Sequence, residues 1–251
     1  MKDQEFSPRK SLERAFQRWW VIVLLTALGG IIGWAIHFLQ PPVYEATAVI
    51  TVNMDFQKVK LTQGEEDYAF NAGGAIGESS EVENQIVTEA RADGFPIDIN
   101  HLTAQMFLER RQSVWEFHIR NRDPKTAAKL ANKWAEKALY ALNAALGSAI
   151  RADQIQAQID NINRNPATAG SPALSSETQA TLNNLSDELL QEKQLSQGVI
   201  SIMKFSLTGS ATVPQKPALY NLADLVLAGG CIGFVISMWV ASSYKVMSRG
   251  G

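Results

Sequence analysis

Apolar and polar positions change period several times along this chain, and each change marks an element. Trp19 to Leu39 is 21 residues without Asp, Glu, Lys or Arg, and Leu225 to Tyr244 is 20 more. Each is long enough to cross a hydrocarbon core of about 30 Å. Tyr44 to Asn53 is rich in β-branched residues and reads as a strand. Ser113 to Arg120 alternates, with Trp115, Phe117 and Ile119 on one face and Glu116, His118 and Arg120 on the other. That is the period of a half-buried strand. Asp123-Pro124 follows as a helix start: an acceptor side chain for orphan N–H groups, then a residue whose fixed φ suits the first helical position. The helix can run from Pro124 to about Asn163, roughly 60 Å at 1.5 Å per residue. Along it Ala131, Trp134, Ala138, Leu142, Ala145, Ala149, Ala152, Ile155, Ile159 and Ile162 recur at steps of three and four. The mean step, about 3.4 residues, is close to the coiled-coil period.

The remaining stretches fill in around these. Pro41-Pro42 ends the first apolar run, and residues 55–78, with Gly64, Gly73, Gly74 and Gly77, read as irregular. Ser80-Glu81-Val82-Glu83 is a capping-box pattern that opens a short helix stopping at Gly94. Phe95 to Leu102 contains Pro96 and leads into a strand near Met106 to Glu109. Asn165-Pro166 to Ser171-Pro172 predicts a turn. Leu182, Leu185, Leu189, Leu195, Val199 and Ile202 then form a second amphipathic helix. Residues 124 to about 203 thus read as a helical hairpin directed away from the membrane. Met203 to Val213 can return as a last strand, and Val213 to Tyr220, with Pro214 and Pro217, is a stiff extended link to the second apolar run. The expected fold class is α+β: two transmembrane helices flanking a domain with a mixed-sheet base and a long helical projection. The expected divisions are a tail at 1–18, spans at 19–39 and 222–244, a domain at 40–221 and a tail at 245–251.

Charge orients this scheme. Residues 1–18 carry five basic and three acidic side chains, and the C-terminal tail carries Lys245 and Arg249 with no acid. Both tails are therefore expected on the cytoplasmic side. Of 25 acidic residues, 21 lie between the spans once Asp224, which borders the second, is set aside; of 23 basic residues, 16 do. That region is net negative, which argues against a nucleic-acid partner. Ala46-Thr-Ala48 has the small-x-small form of a signal-peptide cleavage site, but it falls inside a strand pattern, so the first span reads as a retained anchor. The single cysteine, Cys231, lies in the second span, leaving no disulfide for the intervening domain.

Catalytic patterns are missing: no Gly-x4-Gly-Lys-Ser/Thr loop, no His-Glu-x-x-His and no Cys-x-x-Cys occur. His37, His101 and His118 are scattered. Ser-x-x-Lys occurs at Ser7/Lys10, Ser201/Lys204 and Ser242/Lys245, which is chance. No catalytic residue, metal or cofactor is expected. Two other patterns stand out. Gly29 and Gly33 in the first span are mirrored by Gly229 and Gly233 in the second, and each pair is a Gly-x-x-x-Gly that lets helices approach closely. The contact could join the two spans or two subunits. Lys125, Lys129, Lys133 and Lys137 recur every four residues on the long helix, either as a solvated face or as a basic stripe for an anionic polymer or an acidic neighbour.

Three segments carry a family resemblance. They are Pro42-Val-Tyr44-Glu-Ala46-Thr-Ala48 after the first span; Asn121-Arg-Asp123-Pro124-Lys-Thr-Ala127-Ala128-Lys-Leu-Ala-Asn132 at the strand–helix junction; and Val213-Pro214-Gln-Lys-Pro217 before the second span. In this order between two spans, the chain resembles the polysaccharide co-polymerases, the Wzz-type chain-length determinants of bacterial inner membranes. It departs in having Tyr220 where the family usually has a third proline, and in a short hairpin. The resemblance implies an α+β base, a helical projection and ring-like homo-oligomers in the periplasm. It also implies work with a membrane-embedded polysaccharide polymerase on lipid-linked sugar repeats, and contact with the growing polysaccharide is open. No kinase domain is expected after the second span. The topology alone would also serve a two-span periplasmic sensor or receptor, or a polysaccharide export scaffold. Very short tails offer a receptor little cytoplasmic output. Besides the motif residues, Trp134 is expected to matter for assembly, as the largest residue of the helix stripe.

Overall fold

Hydrophobic periodicity becomes eleven elements in the computed structural model, which describes residues 19–57, 59–95, 97–164, 176–218 and 221–243. They are α1 (Trp19–Leu39), β1 (Tyr44–Met54), α2 (Gln63–Gly77), α3 (Ser80–Ala92), α4 (Ile99–Thr103), β2 (Met106–Arg111), β3 (Val114–Asn121), α5 (Pro124–Arg164), α6 (Ser176–Leu195), β4 (Met203–Gly209) and α7 (Leu222–Ser243). The chain divides into two units: residues 1–44 with 216–251, and residues 45–215. Both proposed tails and the expected hairpin tip around Ser171 lie outside the described residues.

The first unit pairs α1 with α7. Both helices are long and apolar enough to cross a membrane by length and composition. They touch through the two glycine motifs. A Cβ placed on Gly29 would collide with Gly229 O, one on Gly33 with Leu225 O, one on Gly229 with Gly29 O, and one on Gly233 with Leu25 O. Only glycine at all four positions permits this approach of backbone to backbone. Beyond the helices, Ala218 N–H donates to Val43 O at 2.9 Å, joining the segments that flank the two spans.

The second unit is built on a four-stranded sheet in the order β2-β3-β1-β4. A mixed sheet was the expectation; the strands are antiparallel. β2 pairs β3 around a Gln112-Ser113 turn in which Gln112 takes φ 53°, and β1 pairs β4 with Val52 opposite Phe205. Between β1 and β3, Val52 N–H donates to Ser113 O at one end while Glu45 and Arg120 pair at the other, which is again antiparallel. The reason lies in the strand order: a two-residue turn makes β2 and β3 antiparallel neighbours, while the helical connections join β1 to β2 and β3 to β4, pairs that run parallel but are kept apart by an intervening strand. Alternation places Ala46, Ala48, Ile50 and Val52 of β1 and Trp115, Phe117 and Ile119 of β3 in the core, all at most 2% exposed.

Helix α5 covers that face. Ala127, Ala131, Trp134, Ala138 and Leu142 are buried against the sheet and its neighbours. Trp134 stands edge-on to Phe117, centroids 4.9 Å apart, and its Nε1–H donates to Gly77 O at 2.7 Å. The lower part of the stripe is thus satisfied inside one chain. Further along, Ala152 and Ile155 pack with Leu189, flanked by Ile159 and Leu185. Arg151 ties α5 to Glu192 at 2.8 Å, so α5 and α6 run antiparallel as a helical hairpin.

Two expectations about elements are corrected. Residues 55–78 are not irregular, because 63–77 form α2, started by a full capping box in which Thr62 accepts from Glu65 N and Glu65 accepts from Thr62 N. Its glycines are contact points: a Cβ on Gly73 would strike the Trp115 ring, and one on Gly77 would sit 3.3 Å from Phe117 Cε1. The second arm of the hairpin stops at Leu195, not near 203. Gln197 (φ 49°) and Gly198 (φ 88°) turn the backbone left-handed, and Val199 and Ile202 reach the interior from a turn rather than from a helix face. A smaller shift concerns α3, whose cap is Ser79, accepting from Val82 N, rather than Ser80.

Candidate functional site

The strand–helix junction is fixed by local chemistry. Asn121 Oδ1 accepts from Asp123 N–H at 2.9 Å, which bends the chain out of β3. Asp123 then accepts at Oδ2 from the Thr126 hydroxyl and from Thr126 N–H at 2.9 Å. Those two donors, hydroxyl first, hold the Asp123 carboxyl below its ordinary range. A carboxylate at this end also complements the helix dipole. Pro124 takes the first helical position, where no N–H is needed. Ala127 (0% exposed) and Ala128 (4%) follow, small enough to let α5 lie close against the core.

One turn further on, Asn132 reaches out of α5. Its Nδ2 donates to Ala211 O at 3.0 Å, and its Oδ1 accepts from Ala211 N–H at 2.7 Å. Both hydrogen-bonding groups of a single, buried backbone residue are satisfied by one side-chain amide 79 positions away in sequence. Ala211 lies just before Val213-Pro214, so the clamp fastens the start of the extended proline segment to α5. The structure therefore brings Asp123, Pro124, Ala127, Ala128, Asn132 and the residues preceding Pro214 into one continuous construction. Pro214 is half-buried and Pro217 exposed. Trp134 lies on the same helix but inside the core, and Gly29, Gly33, Gly229 and Gly233 form their own cluster in the other unit.

The lysine stripe has a third fate that neither expectation named. Lys129 pairs with Asp93 at 3.1 Å; Lys133 pairs with Glu89 at 3.1 Å and Asp93 at 3.0 Å; Lys137 pairs with Glu89. These contacts tie α5 to the end of α3. Lys137 and then Lys133 hold the Glu89 carboxyl below its ordinary range, and Lys133 and then Lys129 do the same for Asp93. Three of the four lysines are thereby engaged within the chain, sharing two carboxylates that offset most of their charge. Ser201, of the Ser-x-x-Lys pattern, gives its hydroxyl to Asp153.

Sequence reading missed one cluster. Glu109, Glu116 and His118 converge on the sheet face opposite α5, from two strands whose residues are separated by a turn. The alternation of β3 showed that Glu116 and His118 share a face, but not what lies across from them.

Comparison with known proteins bears on this arrangement. A family model described as "Wzz: Chain length determinant protein" matches residues 11–91. The chain resembles the Wzz chain-length determinants over this stretch. The match takes in α1, β1, α2 and nearly all of α3, and supports a chain-length regulator role. A comparison with curated protein sequences finds no match. One similar solved structure is titled "full-length bacterial polysaccharide co-polymerase"; it shares 9% identity, covers 96% of this chain and 98% of its own, with a TM-score of 0.39. At those values the likeness adds nothing to the family match.

Proposed function

We propose that this chain is a non-catalytic regulator of polysaccharide chain length, a co-polymerase acting with a membrane-embedded polymerase on lipid-linked sugar repeats. The observation that carries the reading is the Wzz match over residues 11–91. The chemistry of the junction supports it. Asp123 uses its carboxylate to cap a helix, Asn132 uses its amide to hold Ala211, and the lysines of α5 hold α3. These groups build a rigid connection rather than attack a substrate.

In this reading α1 and α7 cross the bacterial inner membrane, residues 40–221 are periplasmic and both tails are cytoplasmic, as the positive charge at each end favours. Subunits assemble into a closed homo-oligomer. The contacts for assembly come from large apolar side chains left exposed on the hairpin, such as Tyr140, Ile150, Leu190 and Leu195, rather than from Trp134, which serves its own core.

The test is removal of the protein from its host. Surface polysaccharide should persist, with its length changed from a preferred size to a broad, mostly short spread. Loss of all polymer would assign an export role instead, and an unchanged distribution would refute both. Topology is checked separately. A cysteine at Ser171 should label with an impermeant reagent on intact spheroplasts, and one at Ser248 should not.

A further inference from the structure

The outward face of the sheet carries a buried histidine whose surroundings the chain-length role leaves unused. His118 is 6% exposed. Its Nδ1 lies 3.0 Å from Glu45 Oε1 and 2.9 Å from Thr47 Oγ1. Its ring is stacked on Phe107, centroids 4.4 Å apart and planes within 4°, and the Arg120 guanidinium lies 4.5 Å over Phe107 while donating to Glu45 Oε2. The imidazole is held on several sides. Its other nitrogen, Nε2, is buried and has no hydrogen-bond partner. It points at two carboxylates, 3.3 Å from Glu116 Oε2 and 3.7 Å from Glu109 Oε2.

That arrangement has an electrostatic consequence. A neutral imidazole that donates from Nδ1 to Glu45 directs its Nε2 lone pair toward two negatively charged oxygens. A cation between them turns this repulsion into attraction; the competing arrangement is a proton on Nε2, with Nδ1 accepting from the Thr47 hydroxyl. The three candidate ligand atoms lie within 4.8 Å of one another. Ligands bound tetrahedrally at about 2.0–2.1 Å sit roughly 3.3 Å apart. The distance to Glu116 already meets that edge, and Glu109 needs a small side-chain rotation. Glu45 behind Nδ1 is the carboxylate that fixes tautomer and ring orientation in metal-bound histidines. One imidazole nitrogen with two carboxylates suits zinc-class divalent ions rather than calcium or magnesium, which take oxygen alone.

The geometry points to a mononuclear divalent-metal site of the zinc class, with His118 Nε2, Glu116 and Glu109 as ligands and a fourth position left to an outside oxygen. Arg111 is the built-in competitor. Its Nε is 2.9 Å from Glu109 Oε1 and 3.5 Å from Glu116 Oε2, and its Nη2 is 3.2 Å from Glu109 Oε2. With its side chain 62% exposed, it can swing into solvent when the ion enters.

Untagged full-length protein in detergent, stripped with a chelator and then freed of it, is titrated calorimetrically with Zn²⁺ alone. One ion per chain is expected. Glu45→Gln, which acts on the ligand only through Nδ1, should weaken binding about tenfold or more. His118→Gln and the Glu109→Gln/Glu116→Gln pair should abolish it, and Arg111→Gln should tighten it several-fold. Co²⁺ in place of Zn²⁺ should give the visible absorption of a four-coordinate N/O site. His118→Gln can fail to fold because the ring is buried. The double glutamine variant changes only partly exposed side chains and is checked by circular dichroism, so it carries the result alone. Stoichiometric binding that survives in the double variant would overturn the proposal by placing the ion elsewhere, and no binding to the wild type would overturn it in favour of a proton on Nε2. Neither outcome touches the polysaccharide assay.

Discussion

Replacing Asn132 by Ala isolates the clamp between α5 and the proline segment. The side chain makes two hydrogen bonds to Ala211, at 2.7 and 3.0 Å, and Ala211 is only 8% exposed. Truncation leaves a buried N–H and a buried C=O without partners. Each such orphan costs about 1–3 kcal/mol, and partial entry of water into the space left by the amide lowers the sum. A loss of about 2–4 kcal/mol follows, which for a unit of this size lowers Tm by roughly 4–16 °C. Asn132→Asp should fall between, because a carboxylate still accepts from Ala211 N–H but repels Ala211 O. Thermal or urea unfolding of the full chain in detergent, followed by tryptophan fluorescence, reads this through Trp115 and Trp134, both buried in the core. The same variant, at unchanged expression and oligomer mass, should shift the modal polysaccharide length, because it frees the start of the proline segment. A change in stability below about 0.5 kcal/mol, the range of ordinary surface substitutions, would refute the clamp. Lowered stability with unchanged polymer length would leave it a purely structural fastening.

Pro214→Ala with Pro217→Ala loosens the link itself; polymer length should shift while the oligomer stays intact, and wild-type length would make the segment a mere tether. Gly229→Leu with Gly233→Leu places side chains where Gly29 O and Leu25 O already stand, so cross-linking between cysteines introduced in α1 and α7 should fall sharply with insertion unaltered; efficient cross-linking would show that the spans do not meet there. Lys133→Met removes the one lysine that Glu89 and Asp93 share, leaving Lys137 and Lys129 to hold part of the depression of their carboxyls. Their contribution is complete above the unfolded carboxyl range near pH 4 and is lost as pH falls through the depressed folded values, so wild type and variant should differ at pH 7 and converge in strong acid. A constant difference across that range would mean the lysine stem, not its charge, matters.

What could be seen in the sequence follows from how far each signal reaches. The period-two pattern at Trp115, Phe117 and Ile119 and the stripe from Ala131 to Ile155 are local, and both are buried as the pattern requires. The helix start at Asp123-Pro124 is equally local and needed no partner elsewhere. Residues 63–77 misled because glycine weakens a helix on its own, while the reason for Gly73 and Gly77 is the bulk of Trp115 and Phe117 on a later strand. The Thr62-x-x-Glu65 capping box was the available signal for that helix, and its glycines outweighed it. The lysine stripe was visible as a row of charges, but Glu89 and Asp93 carry no mark that points to it. Asn132 was legible as a motif residue and not as a clamp, since its partner is a main chain 79 positions away. The Glu109, Glu116 and His118 cluster needs a pairing register, which no single strand reveals.

The glycines of α2 also set an order of events. Relative to alanine, each glycine within a helix costs about 1 kcal/mol, and this one carries four among fifteen residues. A segment so composed stays unwound by itself, since short helices are marginal in water even with good formers. It winds only when Trp115 and Phe117 are in place to receive Gly73 and Gly77. Residues 63–77 therefore owe their helix to Trp115 and Phe117 of β3, which come later in the chain, as much as to their own composition.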